Sequence, residues 1–106
     1  MEDNAKEYIE KAEKYFSIRY HCSQAVLVAF SNELGISEEQ ALKLVGCFGG
    51  GMCMGEVCGA VTGGLMALGL KFGQSDIDDL NSRIKSNDVA KDLLRRFEKA
   101  NGSYIM

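Results

Sequence analysis

A chain of 106 residues, 46% apolar and 25% charged, suits one globular domain, and its net charge of −3 offers no basic face to recruit a phosphate backbone. Nucleic acid is therefore not an expected partner. The acidic opening Met1-Glu2-Asp3-Asn4-Ala5-Lys6-Glu7 lacks the basic-then-apolar order of a secretory signal, and the apolar stretch 57–70 falls short of the ~20 residues that span a bilayer. The reading is a soluble, cytoplasmic protein with no membrane partner. There, four cysteines more often serve metal binding or catalysis than structural disulfides.

The chain has no proline and shows no useful run of period-2 alternation, which predicts an all-α fold. Ala5, Tyr8, Ile9, Ala12, Tyr15 and Phe16 recur at three- and four-residue steps among charges, marking an amphipathic first helix that ends near Arg19. A second helix should run over 22–34 with Ala25, Val26, Ala29, Phe30 and Leu34 as its apolar stripe, and Gly35 suits its left-handed C-terminal cap. Ser37-Glu38-Glu39-Gln40 matches a capping box, so a third helix starts there and runs to about Cys47, with Ala41, Leu42, Leu44 and Val45 inward.

The fourth helix, 57–70, has no polar face, and a helix apolar all round is expected to be buried all round. Gly59, Gly63 and Ala67 lie four apart on one side, which lets another helix approach closely. Each helical glycine costs about 0.5–1 kcal/mol against alanine, so packing must require them. After Gly73-Gln74, Ser75 or Asp76 caps a long fifth helix with Ile77, Leu80, Ile84, Val89, Leu93, Leu94 and Phe97 inward, ended by Asn101-Gly102. The expectation is a compact bundle of about five helices around a buried Gly/Ala-rich central one. No linker or repeat divides residues 1–106.

Cys22 and Cys58 each fall at or just inside a helix start, where unpaired backbone N–H groups and the positive dipole end favour a thiolate. His21, when protonated, adds a positive neighbour to Cys22. Glu56 opposes a thiolate at Cys58 as a charge, yet also suits a helix first turn. Against this chemical reading stands a plain one, since free cysteine is among the most buried residue types.

Cys47 follows Val45-Gly46 at a helix C-terminus, where the dipole disfavours a thiolate, and reads as a core residue. Met52-Cys53-Met54 sets three soft sulfurs in a row, a pattern suited to copper(I) or a cluster, although methionines also fill irregular gaps. Cys53 and Cys58 lack the CxxC spacing of zinc and thioredoxin-like sites. Cys22, Cys58, Cys53 and Cys47 are the candidate metal ligands, and an iron–sulfur cluster is the cofactor they would hold. Gly49-Gly50-Gly51 matches neither a P-loop nor a dinucleotide fingerprint; it reads as a turn between packed helices or as a nest of N–H groups beside Cys58.

His21-Cys22-Ser23-Gln24-Ala25-Val26, then Phe48-Gly49-Gly50-Gly51-Met52, then Gly55-Glu56-Val57-Cys58-Gly59-Ala60-Val61-Thr62-Gly63 and the run to Gly69-Leu70 resemble the C_GCAxxG_C_C family of redox-active proteins. The resemblance covers roughly residues 22–103. It implies a small helical protein with four characteristic cysteines, presumed redox activity and, in some members, fusion to electron-transfer modules. The first two of those cysteines map to Cys22 and Cys58. The other two belong to a segment that would follow Asn101-Gly102-Ser103, so this sequence, ending at Met106, reads as C-terminally short, with Cys47 and Cys53 additional.

Three function classes remain open. One is thiol–disulfide chemistry at catalytic Cys22 and Cys58, supported by His21, Glu56, Gly59 and Gly63, with a redox partner protein. The second is an iron–sulfur or soft-metal electron carrier, and the third a helical interaction module with inert cysteines. Tyr104-Ile105-Met106 reads as the apolar start of a covering segment, which predicts self-association as a homodimer.

Overall fold

The computed structural model describes residues 2–105, with side chains from Ala5 onward; Met1 and Met106, the latter part of the apolar ending read above, lie outside the described residues. The chain is helical throughout, with no strand among these residues beyond one isolated antiparallel bridge between Val57 and Ile105. No helix among them is long and apolar enough to cross a membrane.

Helix α1 (Glu2–Ser17) stops short of Arg19, which takes a left-handed conformation at φ 84° and turns the chain back so that Tyr20 N–H reaches Tyr15 C=O at 3.2 Å. The second helix is interrupted rather than continuous. It runs as α2 (Cys22–Ala29), breaks at Phe30 where φ is −102° and ψ is 0°, and resumes as the single turn α3 (Ser31–Leu34). The buried Ser31 hydroxyl donates to Val28 C=O at 2.8 Å, a back-bond of the kind that bends helices. Gly35 then caps α3 at φ 76°, as the sequence predicts.

The capping box forms in full: Gln40 N–H donates to Ser37 Oγ at 3.0 Å, and Ser37 N–H donates to Gln40 Oε1 at 3.3 Å. It starts α4 (Glu38–Leu44), which ends three residues earlier than periodicity suggests, with Val45 already off helical geometry. After a turn through Cys47 the chain enters a π turn (Gly51–Gly55). Gly50, Gly51, Met52 and Cys53 are all left-handed, at φ 66°, 66°, 60° and 61°. Each of the two non-glycine residues there costs about 1–2 kcal/mol.

Helix α5 (Gly59–Phe72) follows, and then α6 (Leu80–Asn101). The cap of α6 is Asp79, whose carboxylate accepts from Ser82 N–H at 3.1 Å and Ser82 Oγ at 2.6 Å, rather than Ser75 or Asp76. Asp76 instead closes the preceding turn by accepting from Asp78 N–H at 3.0 Å.

The core forms around α2, where Leu27 and Val28 meet Ala41 and Val45 of the α4 segment with no exposure, and Phe48, Met66 and Ala67 pack on the outside. Full burial of a side chain such as Leu27 contributes about 1.5–3 kcal/mol. Burial of α5 is confined to its first half, at Gly59, Val61 and Gly63; Leu70 is 47% exposed. The reason lies in α6, which covers α5 yet has no buried residue of its own. Its first turns leave Leu80 and Ile84 open, as is Ile77 before them, while Val89, Leu93, Leu94 and Phe97 are half-buried.

Candidate functional site: the paired starts of α2 and α5

Helices α2 and α5 meet at their N-terminal ends, and the contact is possible because α5 has no side chain there. A methyl group on Gly63 would lie 2.6 Å from Ser23 C=O, so the two backbones touch. The Ser23 hydroxyl turns the other way and donates to Val45 C=O at 2.9 Å, tying the start of α2 to the end of α4. Gln24 has two roles in the same turn: its Oε1 accepts from His21 N–H at 2.9 Å, and its Nε2 donates to Leu42 C=O at 3.0 Å.

This crossing brings the regions of Cys22 and Cys58 together. Cys22 is the first residue of α2, and its Sγ rests against Gly59, where an added methyl would lie only 2.6 Å from the sulfur. Cys58 is the N-cap of α5, the residue immediately before Gly59. Its backbone is held from both sides: Cys58 N–H donates to Tyr104 C=O at 2.8 Å, and its own C=O accepts from Val61 N–H at 3.0 Å and Thr62 N–H at 3.2 Å. Both thiols are unbridged and half-buried. A recess of about 210 Å³ leads to Cys22 between α1 and α2, walled by Ala12, Glu13, Phe16, Ala25 and Val26.

The supporting residues occupy the same end of the molecule. His21 caps α2 from an exposed position, and its ring covers Gly49 so closely that no side chain would fit there. Glu56 is exposed, and it is its backbone N–H, donating to Gly51 C=O at 2.9 Å, that closes the π turn.

Cys47 departs from its expected core position. Because α4 ends at Leu44, Val45 takes the core site and Cys47 falls on an exposed turn. Cys53 is also exposed, and the left-handed turn directs its S–H to Cys47 C=O at 3.7 Å. The four cysteines thus fall into an inner pair of positions at the helix starts and an outer pair on the loop. Among the described residues, no three His, Cys, Asp or Glu side chains converge as a metal-ion site within one chain.

One feature has no sequence counterpart. A largely apolar cavity of about 500 Å³ opens between α1, α2, α5 and α6, with Val26, Phe30, Ala60, Leu68 and Leu93 among its walls. Its polar edge joins Tyr8, Glu33 and Lys71: the Tyr8 hydroxyl donates to the Glu33 carboxylate, and Lys71 Nζ stands 3.8 Å from the same group. The hydrogen bond to Glu33 raises the Tyr8 pKa above its ordinary value, with desolvation adding to it. Only the tyrosine within the apolar stripe of α1 hints at this cavity in the sequence, since its polar partners are remote along the chain.

Comparison with curated proteins and with solved structures gives no match. The family comparison does: residues 20–105, which take in both helix starts, the glycine-rich loop and the tail that pairs with Val57, match the model described as "Putative redox-active protein (C_GCAxxG_C_C)". The chain belongs to the C_GCAxxG_C_C family.

Proposed function

We propose that the chain is a thiol–disulfide redox protein whose working pair is Cys22 and Cys58. The observation that carries this reading is the contact of Cys22 Sγ with Gly59, the residue adjoining Cys58, at the paired starts of α2 and α5. Cys22, reached through the recess, attacks one sulfur of a disulfide in a partner protein and releases the other partner sulfur as a thiolate. Cys58 then attacks Cys22 Sγ and releases the second partner thiolate. Two electrons pass to the partner, and the protons lost by Cys22 and Cys58 end on its two sulfurs.

Four unbridged cysteines suit the reducing cytoplasm as the working compartment. Self-association as a two-fold homodimer draws support from α6, which has no buried residue and leaves Leu80 and Ile84 open. Sedimentation at micromolar concentration tests it, and a mass near 11.6 kDa removes it.

The test of the redox reading is equilibration of the full chain with glutathione buffers of graded potential, followed by acid quenching, alkylation and tryptic digestion without reduction. Arg19, Lys43 and Lys71 place Cys22 in peptide 20–43 and Cys58 in peptide 44–71, so a Cys22–Cys58 bridge links the two. Linked peptides that vanish in Cys22→Ser and equally in Cys58→Ser support the reading, since peptide 44–71 also carries Cys47 and Cys53. Retention of both alkylated cysteines at every potential overturns it. Anaerobic purification with a visible charge-transfer band and matching iron and sulfide would replace it with the cluster reading.

A further inference from the structure

The outer cysteines, Cys47 and Cys53, are used by neither the proposed working pair nor the core. They are separated by five residues, both are exposed, and Cys53 Sγ already lies 3.7 Å from the carbonyl oxygen of Cys47. A carbonyl oxygen is roughly 2.4 Å from its own Cα, so that sulfur stands within roughly 6 Å of the Cys47 Cα. A disulfide needs Cα atoms about 4.4–6.8 Å apart and Cβ atoms near 3.8 Å, so bridging requires the Cys47 side chain to rotate toward Cys53 and the loop to shift with it.

The loop already turns the two cysteines toward one another. Gly49, Gly50 and Gly51 lie between the two cysteines, and the left-handed run from Gly50 to Cys53 winds the backbone so that the Cys53 side chain doubles back over the turn holding Cys47. An extended path over the same residues would carry the two sulfurs apart. Nothing else in the core depends on either side chain, and both are open to a disulfide arriving from solvent.

We propose that Cys47 and Cys53 form a second dithiol–disulfide couple, on the loop outside the Cys22–Cys58 pair, which exchanges with exposed disulfides of proteins or small thiols. The Cys53 thiolate attacks one sulfur of the incoming disulfide, its S–S bond breaks, and one thiolate leaves. The Cys47 thiolate then attacks Cys53 Sγ, closing the internal bridge and releasing the second thiolate. The chain loses two electrons and two protons, and the incoming disulfide gains both. The bridge also clamps the loop that packs Phe48 C=O near Gly59 and Gly49 beneath His21.

The full chain oxidised with glutathione disulfide, alkylated and digested without reduction decides the matter. Trypsin leaves Cys47 and Cys53 together in peptide 44–71, and chymotrypsin then cuts after Phe48, between them. The expected result is loss of alkylation at both positions together, with the chymotryptic fragments remaining joined until dithiothreitol is added, and the same joined fragments in the Cys22→Ser, Cys58→Ser double variant. Separate glutathionylation or continued alkylation of Cys47 and Cys53, or a bridge from either one to Cys58, overturns the proposal. Cys53→Gly, which suits the left-handed position, keeps the fold and must abolish the joined fragments. A Cys22–Cys58 bridge links peptides 20–43 and 44–71 whereas this one lies within 44–71, and with Cys58→Ser showing which cysteine of 44–71 is engaged, failure of either pair is read separately.

Discussion

Cys22 Sγ lies where a side chain on Gly59 would have to go: a methyl group there would sit 2.6 Å from the sulfur, 3.1 Å from Ser23 N and 3.2 Å from Phe48 C=O. The absence of a Cβ therefore sets how deeply the thiol can seat. Of the three neighbours only the sulfur can move by rotation. Gly59→Ala is expected to push the Cys22 side chain toward the recess, raising its alkylation rate several-fold while Cys47 is unchanged, and to cost about 1–3 kcal/mol through overpacking. Timed alkylation with peptide mass analysis, and the urea midpoint, check the two parts.

Gly63 and Gly69 share one helix but should respond with opposite signs. At Gly63 the obstacle is Ser23 backbone oxygen at 2.6 Å, which cannot rotate away, so Gly63→Ala should separate α2 from α5 and destabilise at least as much as Gly59→Ala. Nothing lies within 4 Å of a methyl at Gly69. Gly69→Ala should then stabilise by about 0.5–1 kcal/mol through backbone entropy alone. Equal urea midpoints for the two variants would contradict the close helix contact.

Ser23→Ala removes a buried hydroxyl whose acceptor, Val45 C=O, also receives Phe48 N–H at 3.1 Å. The carbonyl keeps one donor, so the expected loss is about 1 kcal/mol rather than the full penalty of an orphaned group. Ser23→Val forces a larger branched side chain into a fully buried site and should lose more. Chemical denaturation of both variants against the parent separates the two effects.

Acid stability should depend on Glu38. Lys11 Nζ at 2.7 Å, helped by the Tyr15 hydroxyl at 2.9 Å, holds the Glu38 carboxyl below its ordinary value of 4.5. A carboxyl with a depressed folded-state pKa contributes stability above its unfolded pKa and loses it as pH falls through the folded value. The effect is small because the pair is exposed. Glu38→Gln should flatten the fall in urea midpoint below about pH 5. Tyr15, raised by the same hydrogen bond, carries the opposite sign and loses its contribution on the alkaline side, above 10.0.

Elements governed by local chemistry were legible in the sequence: the Ser37 capping box, the Gly35 and Gly102 caps, and the placement of Cys22 and Cys58 at helix starts. Those governed by packing were not. Apolar periodicity placed Ile77, Leu80 and Ile84 inward, yet each is more than half exposed because α6 contacts α5 mainly further along. The apolar composition of α5 suggested burial on every side, whereas α2 takes the centre, since only it meets α1, α4 and α5 together. Cys47 falls outside its expected core position because Val45 leaves helical geometry one residue after Leu44, so that Gly46 marks the stop and Cys47 already lies on the turn beyond it. The doubling back of Cys53 rests on four consecutive left-handed residues, of which only the glycines advertise that conformation.

The hydrogen bond from Cys58 N–H to Tyr104 C=O, with the bridge from Val57 to Ile105, makes the far end of the chain a fixture of the helix start. An affinity tag fused after this tail is consequently no neutral handle. It enters the molecule beside Cys58, and any pull it exerts acts on the backbone that orients that thiol. The same bond makes the Cys58 amide a label for the tail: its deuterium uptake reports tail docking without a probe being attached. Slow exchange that becomes fast when residues 103–106 are removed would give a direct reading of how firmly the tail holds the site.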